Sequence, residues 1–322
     1  MAVADRDEEF FTGRSVAGLV AIVTDSTASL PADQACRRMV AVVPLRLLAG
    51  GLVADDGDAG AAAIEDAAER GERLTTARPP PERFAAAFQA AAAAGARAVV
   101  CVHVSGLMSG TLGSAELAAA GSPVPVRVVD ARTIGTGLGL AVLAAARAAA
   151  GGQGPDEIAA GAARFAERTG SFFALDNPDA LLASGRMPPS GRASPSGRES
   201  PSDRASPSGR TSGRGTAQDR LVARSILQVR SGQIVPVERV RTRAAAASRL
   251  LELAAGSAGG QPVDVAVEHI RAAGRAAELA DRLAAVVPQV RRIYVVAAGL
   301  AIRAHTGPWM LAVTVAPHPA VG

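Results

Sequence analysis

Short runs of Val, Ile and Leu recur along this 322-residue chain, most of them separated by longer segments with helical periodicity. That alternation constrains the fold more than any other feature, because strands interleaved with helices bury their faces as a parallel or mixed sheet covered by helices. The predicted strands are Leu19 to Thr24, Val40 to Leu47, Ala98 to Val104, Val126 to Asp130, Phe172 to Leu175, Ile226 to Val229, Ile234 to Arg241, Val263 to Glu268, Arg292 to Val296 and Leu311 to Val315. Pro81 opens a helix that puts Phe84, Ala87, Phe88 and Ala91 on one face, and Pro155 opens another carrying Ile158, Ala162 and Phe165.

The second half differs in one respect: Ser231-Gly232 suits a tight turn, so residues 226–241 read as an antiparallel hairpin. The chain is therefore expected to be α/β, with an N-terminal domain over residues 18–165 and a smaller mixed-sheet domain over 166–322 facing it across a ligand crevice. Residues 1–17 read as a disordered tail. Residues 188–218 are Ser, Pro, Gly and Arg with almost nothing apolar, and Ala-Ser-Pro-Ser-Gly-Arg at Ala193 recurs at Ala205. Such a stretch cannot bury enough apolar surface to offset an ordering entropy of about 1–2 kcal/mol per residue, and disorder is expected there.

Aromatic residues are only 3% of the chain against 48% hydrophobic overall, so the core must be aliphatic. All 34 basic residues are Arg, but a formal charge of +4 is thinly spread and does not by itself call for a nucleic-acid partner. Cys36 and Cys101 lie in apolar runs without metal-ligand spacing and read as reduced, buried thiols. Residues 1–15 carry Asp5, Asp7, Glu8 and Glu9 where a signal peptide needs basic residues, and no run approaches the ~20 apolar residues of a membrane span. The expectation is a soluble, cytoplasmic protein with no stable membrane insertion.

Four polar clusters could carry chemistry. Thr24-Asp25-Ser26-Thr27-Ala28-Ser29 follows a buried strand, where ligands bind at a sheet's carboxyl edge and where the same residues also serve as helix caps. Thr75-Thr76 precedes the helix opened by Pro81, and capping accounts for it. His103-Val104-Ser105-Gly106-Leu107-Met108-Ser109-Gly110-Thr111 runs from a strand through a small-residue loop into a helix, and its free amides suit an anion. His305-Thr306-Gly307-Pro308 places an imidazole beside a turn. Hydroxyl donors with one imidazole are suited to a carboxylate or phosphate held without a metal or cofactor.

The order of these motifs, with Val43-Pro44-Leu45, Val128-Val129-Asp130, Gly185-Arg186 and residues 237–243 between them, resembles the DegV family over about residues 19 to 316. The resemblance implies an N-terminal Rossmann-like parallel sheet with helices, a smaller C-terminal mixed α/β domain and a lipid pocket between them. It also implies a carrier, not an enzyme, that binds a long-chain fatty acid with its carboxylate near the mouth and, in some bacteria, presents it to a separate fatty acid kinase. Carried over by position, Thr76, Ser105, Ser109 and His305 become headgroup candidates, Ser26 a further one, and Arg186 and Arg241 rim residues suited to a phosphorylated headgroup or to the kinase. Gly106, Arg78 and Trp309 depart from the family's usual residues, and the stretch after Met187 replaces an apolar segment that forms one wall of the pocket in relatives.

Two enzymatic readings stand beside the carrier. A serine hydrolase acting on a lipid or ester would use Ser109 or Ser26 with His305 and Asp25 or Asp130, although there is no Gly-x-Ser-x-Gly elbow. A dinucleotide loop at Gly135-Thr136-Gly137-Leu138-Gly139 lacks the Gly-x-Gly-x-x-Gly order, so close helix packing is the expected role of those glycines.

Overall fold

The computed structural model describes residues 16, 18–31, 39–187 and 224–319. The expected insertion at 188–218, Cys36 and all of the expected tail except Val16 lie outside the described residues; Val16 itself is buried.

The first domain is built on a four-stranded parallel sheet, β2-β1-β6-β7, formed by β1 (Val20–Asp25), β2 (Val40–Val43), β6 (Ala98–His103) and β7 (Val126–Asp130). Both faces are covered, which is why its inner strands read as unbroken apolar runs. On one face Ala21, Val23, Val99 and Cys101 pack against Phe84 and Phe88 of α2 (Pro81–Ala93) and Ala115 of α3 (Thr111–Ala119). On the other, Val20, Ile22, Val100 and Val102 pack against α4 (Thr136–Ala150) and α5 (Pro155–Glu167). Burial pushes the Cys101 thiol far above its ordinary pKa, so it is an inert core residue.

The predicted strand over residues 40–47 is two strands. Pro44, which has no N–H to give a ladder, ends β2, and β3 (Arg46–Ala49) leaves for a separate antiparallel sheet with β4 (Leu52–Asp55) and β5 (Thr75–Ala77). Thr75 and Thr76 therefore sit in a strand; the residue preceding α2 is Pro80, which offers no side-chain cap. Helix α1 (Ala61–Glu69) covers this small sheet through Ile64 and Ala67.

The second domain carries a six-stranded mixed sheet ordered β10-β9-β8-β13-β11-β12. Its strands are β8 (Gly170–Leu175), β9 (Arg224–Arg230), β10 (Gln233–Val240), β11 (Val263–Ile270), β12 (Val290–Ala297) and β13 (Met310–Pro317); only β11 and β12 pair in parallel. The hairpin turns at Ser231-Gly232, with φ of 50° and 85°, the two left-handed residues of a type I′ turn.

Side chains alternate across this sheet. Leu311, Val313 and Val315 of β13 face α7 (Arg243–Ala258) and α8 (Ala273–Val286), whereas Met310 and Ala312 face the first domain, Ala312 level with Phe173 of β8. Trp309 is buried on the α7 side, where Arg243 stacks 4.7 Å from its ring centre, so this departure from the family pattern does not touch the inner face. Helices α6 (Asp179–Ala183) and α9 (Leu300–Thr306) complete the boundary between the domains. No helix among the described residues is long and apolar enough to cross a membrane.

Candidate functional site

A mostly apolar cavity lies between the inner face of the second sheet and the first domain. Phe173, Val229, Ile234, Met310 and Ala312 line it from the sheet, Met108 and Ile134 from the first domain, and Leu181, Ile302 and Thr306 from the boundary helices. It encloses about 580 Å³ including its open end. A lining so largely apolar suits an apolar ligand. His305 and Arg186 stand at one end and also line the open cleft outside, together with Thr76.

These three polar residues come from separate elements. Thr76 sits on β5, opposite Leu47 of β3; His305 lies in the last turn of α9; Arg186 follows Gly185, whose φ of 68° turns the chain after α6 and lets the Arg186 amide reach the Leu181 carbonyl at 3.0 Å. His305 Nε2 and Thr76 Oγ1 are 2.8 Å apart. Burial, reinforced by the charge of Arg186, lowers the imidazole pKa to about 4, so the ring is neutral at physiological pH. Arg186 is half-buried, and burial alone lowers its pKa. Its guanidinium makes no ion pair among the described residues. A partly desolvated cation without a counter-ion, beside a neutral His and a hydroxyl, is a place prepared for an anion.

The remaining candidates are placed differently. Ser105 is fully buried and donates its hydroxyl to the Gly232 carbonyl at 2.7 Å, clasping the hairpin turn together with Arg132, which donates to the Ser231 carbonyl at 2.9 Å. Ser109 pairs with the Thr111 hydroxyl at 2.8 Å and accepts from the Thr111 amide, so it organises the start of α3. Ser26 accepts from the Leu45 amide at 3.1 Å and faces another cleft, one lined by Asp56 and Val295. Arg241 is exposed beyond the end of β10, where its carbonyl receives Arg224, and lines neither the cavity nor the open cleft. Neither Ser26 nor Ser109 is hydrogen-bonded to His305.

Two further polar groups bear on the site, the first of them, Asp25, already marked in the sequence as a residue that could orient a ligand or serve a hydrolase. Asp25 is wholly buried, accepting from the Thr27 amide, from the Val104 amide at 3.1 Å and from His103 Nδ1 at 3.0 Å. Burial alone would raise its carboxyl, but His103, Thr27 and Val104 together hold it below the usual range, and the arrangement fixes the start of the Ser105 loop. The second is Glu268, which the sequence had marked only as a strand end. β11 runs on to Ile270, and the buried Glu268 side chain lines the cavity. An acid directly after the buried run Val265-Ala266-Val267, in a strand that also carries Asp264 and His269, was the available signal.

The comparisons agree with this architecture. The sequence profile of the family described as uncharacterised protein, DegV family, matches residues 19–194 and 207–318. A DegV domain-containing protein of Streptomyces coelicolor is 38% identical over 297 residues, covering 92% of this chain and 98% of its own. Among solved structures, a DegV family protein of Thermus thermophilus, described as fatty-acid-binding, superimposes with a TM-score of 0.76 at 26% identity, covering 93% of this chain and all of that one. A DegV family protein of Eubacterium eligens, loaded with heptadecanoic acid, gives 0.73 at 18% identity, over 93% of this chain and 100% of its own. With sequence, topology and a cavity between two domains in agreement, this chain belongs to the DegV family.

Proposed function

We propose that the chain is a non-catalytic carrier that binds a long-chain fatty acid in the cavity between its domains, with the carboxylate at Thr76, His305 and Arg186. The observation that carries this reading is the half-buried Arg186, without a counter-ion among the described residues, at the mouth of a largely apolar cavity. Burying ten methylenes at about 0.8 kcal/mol each supplies several kcal/mol after ordering costs, and the anion satisfies the guanidinium. With His305 and Thr76 bonded to each other, the pair keeps one proton for the carboxylate, from Nδ1–H when Thr76 donates to Nε2 or from the Thr76 hydroxyl when Nε2–H donates to it.

The headgroup end opens into a cleft lined by Thr75, Thr76, Asp179, Ser184, Arg186 and Arg303. A carboxylate held there is within reach of a second protein, which supports presentation to a separate fatty acid kinase. The test of the carrier is direct: the purified protein is extracted and the extract examined by mass spectrometry, then the delipidated protein is titrated with C14 to C18 acids. Co-purifying fatty acid or saturable uptake is expected; an empty protein that takes up none of them ends the proposal.

A further inference from the structure

The cavity lining is polar further along β13, away from the end of the strand that follows α9. Thr314 lies further along β13 than Met310, by about 13 Å at 3.3 Å per residue, which is the length of roughly ten methylenes. Ser171 of β8 is its partner in register, and both side chains line the cavity together with Glu268 and Gly135. Thr314 Oγ1 is 2.8 Å from Thr136 Oγ1 and 3.2 Å from Ser171 Oγ. Glu268 accepts from the Ser29 hydroxyl at 2.6 Å and from the Thr136 amide at 2.9 Å, so both domains contribute to one buried network.

The glycines ahead of and within α4 make room for it. Gly135 has a φ of 65°, and a Cβ there would lie 2.5 Å from Glu268 Oε2; a Cβ on Gly137 would lie 2.5 Å from Thr133 Oγ1 and 2.8 Å from Ser171 Oγ. The Gly135-Thr136-Gly137 stretch thus admits oxygen-bearing side chains to the first turn of a helix that would otherwise exclude them.

We propose that this polar floor is a second recognition subsite that takes a hydroxyl on the distal part of the acyl chain, making hydroxylated fatty acids the ligand class to which the cavity is fitted. The inference rests on the fatty-acid reading above and deepens it. A floor meant only to meet a methyl end needs no carboxylate, since apolar residues of equal volume close a cavity without desolvating an acid. Burial raises the Glu268 carboxyl, against the hydrogen bonds from Ser29 and Thr136 that lower it.

The hydrogen-bond directions also suit a hydroxyl. With Glu268 ionised, the hydroxyls donate in series from Ser171 to Thr314 to Thr136 and so toward the carboxylate, which leaves lone pairs on Ser171 to accept from a ligand. With Glu268 protonated the series reverses and Ser171 keeps a proton to donate. A hydroxyl, being both donor and acceptor, satisfies either arrangement, whereas a methyl satisfies neither.

The experiment compares dodecanoic acid with 12-hydroxydodecanoic acid on the delipidated full chain by titration calorimetry. The hydroxy acid is expected to bind about fivefold tighter, the worth of one net hydrogen bond. In the Ser171→Ala, Thr314→Val double variant the preference should reverse while dodecanoic acid still binds. Glu268→Gln, which keeps the shape of the floor, is read as a second variant and should narrow the ratio even if the double variant does not fold. Dodecanoic acid binding as tightly as the hydroxy acid in the unaltered chain overturns the subsite and leaves the carrier standing. Failure of both acids to bind also overturns the subsite, while the carrier stands or falls on the separate titration with C14 to C18 acids.

Discussion

Thr76 and His305 stand 229 residues apart in sequence and share a 2.8 Å hydrogen bond that joins the small three-stranded sheet to the last turn of α9. The bond fixes the imidazole at the mouth of the cavity, where burial, reinforced by the charge of Arg186, keeps the ring neutral. The proposed headgroup site is thus assembled from three segments that only the folded chain brings together.

Removing these groups one at a time should weaken fatty-acid binding in order of charge. Arg186→Gln is expected to lower affinity at least tenfold, by loss of a charge-assisted bond worth about 1.5–3 kcal/mol, and Thr76→Val about fivefold. Displacement of a fluorescent fatty acid measures both. Unchanged affinity in the two variants would place the headgroup elsewhere.

His305 should leave a signature in stability against pH. Its folded pKa of about 4 lies below the ordinary 6.5, so between those values the unfolded chain holds a proton that the folded chain does not, and stability rises with pH across that window. The full effect is about 3 kcal/mol. Buried Glu268 and half-buried Asp56 have raised pKa values and act in the opposite sense, but equally in a His305→Asn variant. Urea denaturation of the two proteins from pH 4 to 7 should therefore show the unaltered chain losing up to about 3 kcal/mol relative to the variant as pH falls.

Ser105 is expected to behave as a structural residue. Ser105→Ala removes the bond to the Gly232 carbonyl and should cost about 1 kcal/mol of stability, seen as a lower urea midpoint, with little direct effect on binding. A large loss of affinity at unchanged stability would return Ser105 to the headgroup site.

Two glycines should respond to Ala in opposite directions. Gly113, within α3, has open space around it, and Gly113→Ala should stabilise by up to about 1 kcal/mol through helix propensity. Gly135→Ala meets both a left-handed backbone and the Glu268 carboxylate, and should destabilise by about 2 kcal/mol or more. Thermal unfolding of the pair is the measurement.

How much the chain disclosed in advance depended on how local each signal was. The apolar runs of β1, β6 and β7, the helix faces begun at Pro81 and Pro155, and the Ser231-Gly232 turn are written in neighbouring residues, and the structure has them all. β4 and β5 escaped because they are short and partly exposed, held by β3 and not by any pattern of their own. Thr76 and His305 were visible only as two plausible residues, since nothing local says that β5 abuts α9. Ser105 looked like a ligand group because a hydroxyl in a small-residue loop gives no hint that a hairpin turn from the other domain will occupy it. Glu268 was overlooked for a related reason: what keeps an acid in a buried strand is the first turn of α4, more than a hundred residues earlier.

The period-two alternation of β13 also governs how such a protein can diversify. Met310, Ala312 and Thr314 point toward the cavity, while Leu311, Val313 and Val315 hold the helices behind the sheet. Inserting or deleting a single residue in this strand would exchange the two sets and spoil both faces at once. Point substitution at the cavity-facing positions leaves the supporting layer intact. New ligand ranges are therefore open to this lineage one even-numbered residue at a time, and its ligand chemistry can drift while the frame that bears it stays fixed.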